Sequence, residues 1–421
     1  MKTKSDIKQL DHSDSRQAES PESIDGQPDL QIVFSALHSL SLQPVSEIYQ
    51  SWLQLFDAEP HADLHQHPDH VTHLIPIFKE MQTHHPGYLM QCRKEGALVA
   101  VGILLPKNIN TKTLKAIGPA RTLPGYYLCG NRFLMQQNIQ QDESILKNLL
   151  EAALNFCQKQ HATFLLLEDI LVDAPLSHSI QNTTNHFLTY SHTGFQNRSL
   201  IHFPDPPEDY WNQFRSKSRR KHRKLLRQNS EMQMIRITEP DQVVDFLEAA
   251  HQISLNTWQT QRLGLRIKND EKELEELTFL ALNGWLRSYL LMKDDQPVAF
   301  KIGSQHRGVY RDLEFGFDLN YASTSPGETL LLLILEDLIQ YDTPQTYDFG
   351  EGDAEYKKRY SSQITQSCTV MLLPSTIKNK VRLSYFKSSR FIDHLIRKFL
   401  KASGVYTALR QMVRYGKMGS R

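Results

Sequence analysis

Tyr347-Asp348-Phe349-Gly350-Glu351-Gly352-Asp353 places three carboxylates where the chain leaves a predicted strand through two glycines. Glycine permits a tight exit that a bulkier residue would block. Carboxylates at such a strand end can take a proton from an ammonium group or hold hydroxyls. Lys357, on the short turn that follows, can pair with one of these acids or neutralise a developing negative charge. Glu314, on the strand predicted over 309–317, is a second candidate base. The plain alternatives are a turn closed by a structural salt bridge for the first group and a surface strand position for Glu314.

Other residues have the chemistry to hold an anion. Ser325-Pro326-Gly327-Glu328-Thr329 opens a helix that carries the aliphatic run Leu330 to Leu335. A helix N-terminus offers free N–H groups and partial positive charge, which suit a pyrophosphate, and Gly327 lets the backbone come close. Ser216 to Arg227 holds seven Lys or Arg. Arg219, Arg220 and Arg223 can meet phosphates, since guanidinium forks match phosphate oxygens; a solvated helix face is the alternative. His61, His65, His67, His70, His73, His84 and His85 crowd one stretch, yet there is no HExxH, so no metal is expected. Cys92, Cys129, Cys157 and Cys368 are scattered and read as reduced, buried thiols.

These side chains need a scaffold. The 421 residues allow two or three domains, and 40% apolar and 23% charged residues are ordinary for a soluble protein. No apolar run approaches the ~20 residues of a spanning helix, and no signal peptide is read at the N-terminus. An integral membrane protein and a conventionally secreted one are therefore not expected. Residues 1–30 are too polar to order and read as a leader. From 31 to 198 the pattern is mixed α/β, with a strand–turn–strand around Lys94-Glu95-Gly96 and a helix over 145–158. From 199 to 374 the order is a short strand, a helix over 205–229, a strand, helices over 241–262 and 271–283, three strands, a helix over 327–340 and two more strands. Tyr88-Leu-Met…Leu98-Val-Ala100 echoes Tyr289-Leu-Leu…Pro297-Val-Ala299. The echo favours one fold used twice.

This order of elements resembles the GNAT acyltransferase fold. Ser216-Lys-Ser-Arg-Arg-Lys-His-Arg-Lys, Trp258 with Arg262 and Gly264, Pro297-Val-Ala-Phe, Ser325-Pro-Gly and Asp348-Phe-Gly-Glu-Gly-Asp-Ala-Glu-Tyr-Lys357 follow the sequence of motifs in the CelD/BcsL-like acetyltransferases, a GNAT branch related to FemABX. The resemblance covers about residues 200–365. It implies an α/β (α+β mixed-sheet) protein of two tandem GNAT-like lobes, the first degenerate and the second catalytic. It further implies transfer of an acetyl or other acyl group from acyl-CoA to an amine, on an amino sugar or a cell-envelope or polysaccharide precursor. Ser325, Gly327, Glu328 and Thr329 would then hold the donor, helped by Arg219, Arg220 and Arg223. Asp348, Glu351, Asp353, Lys357 and Glu314 would serve the chemistry. The stretch from Tyr321 to Thr329 has one glycine where the GNAT pyrophosphate loop has more, which keeps a FemABX-like aminoacyl-tRNA donor as an alternative. A non-catalytic anion-binding protein is another. DNA is not an expected partner.

Residues 375–421 carry 12 Lys or Arg and one acid, Asp393, against a net −10 for the remainder. Phe391-Ile392, Leu395-Ile396 and Phe399-Leu400 line one helical face. We expect that face to pack on the second lobe; a peripheral anchor on an anionic membrane is the alternative. The expected location is cytoplasmic, with peripheral contact at the inner membrane face.

Overall fold

The computed structural model describes residues 22–24, 27–40, 42–59, 62–80, 86–114, 116, 118–140, 142–182, 187–191, 193–257 and 267–402. The first lobe contains β1 (Glu22–Ile24), β2 (Gln27–Ala36), α1 (Glu47–Ala58), α2 (Pro68–Glu80), β3 (Tyr88–Lys94), β4 (Ala97–Asn110), β5 (Thr122–Leu128), β6 (Leu134–Met135), α3 (Glu143–Lys159), β7 (Leu165–Leu171), α4 (Pro175–Asn182) and β8 (Phe187–Tyr190). Next come β9 (Phe195–His202), α5 (Ser216–Gln228), β10 (Gln233–Ile237), α6 (Val243–Leu255), α7 (Glu271–Leu282), β11 (Ser288–Lys293), β12 (Gln296–His306), β13 (Val309–Phe317), α8 (Pro326–Tyr341), β14 (Thr346–Glu351) and α9 (Glu355–Tyr360). The described chain closes with β15 (Gln363–Pro374) and α10 (Ile377–Ala402).

The echo in sequence is an echo in structure. Each lobe has an antiparallel meander, β3–β4–β5 or β11–β12–β13, then a helix, then a strand parallel to the meander's last strand. Both first hairpins turn on two residues of positive φ, Glu95 with Gly96 and Asp294 with Asp295, the geometry that matches strand twist. Both also carry a register shift at the same place, Cys92/Arg93 and Leu291/Met292. Leu330, Leu331, Leu332, Ile334 and Leu335 of α8 are buried on the second meander. Burial of each large aliphatic side chain is worth ~1.5–3 kcal/mol. The four cysteines are free and buried.

The lobes are joined by a reciprocal exchange of strands. β9, which follows the first lobe, pairs with β14 of the second; β15, which follows the second lobe, pairs with β7 of the first. β9 and β15 also pair with each other, so the 15 strands among the described residues form one sheet.

Some expectations change. Glu22–Ile24 and residues 27–30, read as leader on polarity, are strand, because backbone pairing, of β1 to β2 and of β2 from Leu30 on to β3, does not require apolar side chains. The helix expected over 205–229 is a 3-10 segment, Pro207–Gln213, and then α5, separated by extended backbone at Phe214. Tyr210 and Phe214 turn inward to the core, whereas the basic residues after Arg215 must reach water. The next helix ends at Leu255, capped at Asn256. Trp258, Arg262 and Gly264 lie outside the described residues, as do His61, His84 and His85.

The C-terminal stripe is also a correction. α10 docks on the body through Asn379, Leu383, Phe386 and Ser389, with Phe386 against Tyr190 of β8. Phe391, Leu395 and Phe399, expected to pack on the second lobe, are 62%, 47% and 73% exposed. The helix has only one side toward the body, and the stripe is on the other. Leu400's side chain is outside the described residues.

Candidate active site

β13 and β14 pair only at Val309–Thr346, Tyr310–Tyr347 and Arg311–Asp348, and then part. On one face of the sheet, the gap opens into a cavity of about 240 Å³. Phe315 and Phe317 of β13, Leu331 of α8 and Tyr356 of α9 make its apolar walls, and Ser325, Gly327 and Glu328 its mouth. Ser325 caps α8 from the left-handed region, φ 54°, and Pro326 follows at the first helical position. The first turn leaves the Gly327 and Glu328 N–H groups without intrahelical acceptors. A Cβ on Gly327 would lie 2.5 Å from Phe315 Cζ, so glycine there allows α8 to seat against β13.

Glu328 does not meet this cavity as a bare anion. Its carboxylate accepts from Arg359 (2.8 Å) and the Tyr360 hydroxyl (3.0 Å). Thr329 is buried; its hydroxyl donates to the Ser325 carbonyl and accepts from Asn229 Nδ2 at 2.7 Å. Asn229 also donates to the Thr324 carbonyl, so the end of α5 fixes the start of α8. Arg219 and Arg223 border a different cleft, with Trp211, His222 and Leu332, and Arg220 a surface groove with Arg227. The three arginines therefore do not line the Gly327 cavity.

Lys301 was not singled out in the sequence, where it is one residue of an apolar strand. It lines the same cavity, is 2% exposed, donates to Asp312 Oδ2 at 2.5 Å and sits 4.6 Å from the Phe315 ring centre. A buried ammonium has three donors, and the carboxylate and ring balance its charge.

The strand-end acids have other partners. Arg198 of β9 grips Asp348 with Nε at 3.0 and 3.1 Å to its two oxygens, adds a further bond from its terminal nitrogen, and also pairs with Asp169 of β7. Gly350 N–H donates to Asp348 as well. Glu351 accepts from the Ser367 hydroxyl at 2.8 Å. Asp353 is exposed and bonds Asn197 and Lys358. Lys357 donates to the carbonyls of Phe349 and Glu351, and burial lowers its pKa. These contacts hold β14 open at Gly350 and Gly352, whose φ values are 68° and 125°.

Glu314 faces the opposite side of the sheet. Ile302 and Glu314 are cross-strand partners, as are Lys301 and Phe315, so the two pairs point to opposite faces. Glu314 lines a second cavity, about 210 Å³, with Glu273 and Glu276 of α7 and Leu64 and His65 of the first lobe. Around it His70 bonds Glu276 at 2.9 Å, His65 bonds Asp63 at 2.6 Å and Arg311 pairs with Asp63 at 3.1 Å. Burial works to raise the Glu276 pKa, but His70, His65 and His73 outweigh it and hold the group low. Glu273 moves the other way, raised by burial and by Asp270 and Glu276. The donor atoms of His65, His70 and Glu276 fall within 4.8 Å of one another, a set that can also hold a metal ion. The histidine run had pointed to nothing, because its partners are about 200 positions away in α7 and β13.

Residues 212–358 match the family model described as Acetyltransferase (GNAT) domain. No curated protein matches the sequence. Among solved structures, FemX is similar at TM-score 0.55 and 12% identity, over 80% of this chain and 98% of that one. The C-terminal domain (DUF2156) of a putative lysylphosphatidylglycerol synthetase from Agrobacterium fabrum gives 0.47 and 11%, over 77% and 91%. A tandem GNAT protein from the clavulanic acid biosynthesis pathway gives 0.46 and 11%, over 82% and 99%. The parted strands and the helix start at Gly327 lie within residues 212–358, the stretch that resembles the GNAT acetyltransferase domain, and the chain shares its two-lobed fold with FemX.

Proposed function

We propose that the chain is an N-acyltransferase whose donor enters the Gly327 cavity and whose amine acceptor enters the Glu314 cavity. One observation carries the reading: Glu314 and Phe315, neighbours on β13, line two cavities on opposite faces where β13 parts from β14. A donor and an acceptor approaching from the two faces meet at that gap.

Acyl-CoA fits the donor side. The Gly327 and Glu328 N–H groups suit its pyrophosphate, and Phe315, Phe317, Leu331 and Tyr356 suit an uncharged arm. Glu314 takes the ammonium proton, directly or through water, and the freed amine attacks the acyl carbonyl. Lys301 opposes the negative charge that builds on the carbonyl oxygen. The new C–N bond forms as the C–S bond breaks, and the thiolate leaves with a proton. Glu273 and Glu276 favour a cationic acceptor. Asp348, Glu351, Asp353 and Lys357 act as positioning residues for the β14 exit. A saccharide or cell-envelope amine, as in CelD/BcsL-like proteins, is the acceptor class we favour.

The test is thiol release from acetyl-CoA against a panel of amino sugars and diamines. Glu314→Gln should lower kcat by about 10²–10⁴-fold with little change in donor KM. Unchanged turnover would remove Glu314 from the chemistry. A second reading keeps the acyl transfer and takes an aminoacyl ester on tRNA as donor. The solvent-facing basic residues of α5, none of which lines the Gly327 cavity, favour it. Thermal stabilisation by aminoacyl-tRNA and not by CoA thioesters would select that reading.

A further inference from the structure

We propose that α10 is an interfacial helix that seats this protein on an anionic lipid surface. Asn379, Leu383, Phe386 and Ser389 take its body-facing side, as described. On the other side Ile377, Val381 and Tyr385 are exposed in its first half. Phe391, Ile392, Leu395, Ile396 and Phe399 continue the exposure in its second half. At ~100° per residue all eight fall in an arc of about 140°, and from Ile377 to Phe399 the stripe is roughly 33 Å long.

The occupant follows from the charges beside the stripe. Lys380, Lys387 and Lys398 lie along one edge and Lys378 at the other, and Asp393 is the helix's one acid. Ammonium groups at both edges of an apolar band match anionic headgroups above acyl chains. They oppose a second copy of the same helix, whose edges would repel. The helix cannot cross the bilayer: among the described residues no helix is long and apolar enough to span a membrane. It is placed to lie in the interface, with the lobes on the aqueous side.

The full chain should float with vesicles of equal parts phosphatidylglycerol and phosphatidylcholine and far less with phosphatidylcholine alone. Salt should weaken the binding, since the screening length shrinks to about 3 Å at 1 M. Leu395→Asp with Phe399→Asp should lower vesicle affinity by about ten-fold or more. Lys380→Glu, Lys387→Glu and Lys398→Glu together should erase the preference for anionic vesicles. All five positions are exposed, so neither variant should shift the melting temperature. A wild-type chain that stays unbound, or variants that bind as well as it does, would overturn the proposal. So would a lipid-free dimer in sedimentation velocity that the Leu395→Asp/Phe399→Asp variant dissolves, since the stripe would then belong to a second copy.

Discussion

Lys301, which lines the Gly327 cavity, and Asp312 form a buried ion pair, 2% and 6% exposed. Removing one partner of such a pair leaves the other charge uncompensated, at a cost of about 3–5 kcal/mol. We predict that Lys301→Met loses about that much in urea unfolding. Lys301→Met/Asp312→Leu should recover most of the stability and none of the activity. Recovery of both would make the pair purely structural. Asp348 makes the contrasting case. Its carboxylate is committed to Arg198, so Asp348→Asn should lower the melting temperature while the folded fraction keeps its kcat. A lost kcat in fully folded protein would return Asp348 to the chemistry. The sequence makes Asp348 conspicuous, because carboxylates beside glycines advertise a site. It hides Arg198 and Asp169, whose proximity exists only after β9 and β7 join the sheet.

At the scale of the elements, the first turn of α8 is held by packing and by hydrogen bonds. Gly327→Val would push its side chain into Phe315, and that ring has the Gly327 cavity to move into. Donor affinity should fall in calorimetry, and Gly327→Val/Phe315→Ala should regain part of it. Failure of the double variant to regain any would mean that the glycine serves the ligand directly. Asn229→Ala removes two bonds to the same turn and should cost about 1–3 kcal/mol, with a raised donor KM. The β3–β4 hairpin, the second meander, α3, α7 and α8 were legible from apolar periodicity and turn residues, whereas β5 was not. The break at Phe214 was not, because helical propensity continues through it and only the burial of Tyr210 and Phe214 interrupts it. The outward stripe of α10 was not legible either: periodicity identifies an apolar face but not what it meets.

Across the whole molecule, the lobes also meet through rings and histidines on the α1 and α7 side. His306 packs with Phe56, His67 and Trp285, and Arg307 donates to the carbonyls of Phe56 and Asp57. Burial, with His67, Arg307 and Arg311 nearby and only Asp63 opposing, lowers the His306 pKa to about 4. Burial lowers His67 and His70 as well; at His65 the Asp63 and Glu276 carboxylates together more than offset burial and raise it. A depressed histidine stabilises the fold above the unfolded-state value of about 6.5, and that contribution is lost as pH falls toward 4. Stability should therefore decline from pH 7 to 4, and His306→Phe should flatten the decline. An unchanged slope in that variant would assign the acid sensitivity to other groups.

The exchange of β9 and β15 has a consequence for how the chain is made. A ribosome that has released the first lobe has released β7 without its antiparallel neighbour, and that strand edge stays open while nearly two hundred further residues are synthesised. The second lobe waits less, since β9 is already present when β14 emerges. The nascent first lobe is thus the vulnerable species, and a stalled or truncated chain ending before Gln363 would leave a sticky edge in the cell. Supplying the 363–374 segment as a separate peptide to such a truncated chain should restore its solubility, which makes the strand at the seam a natural point for splitting the protein into two complementing pieces.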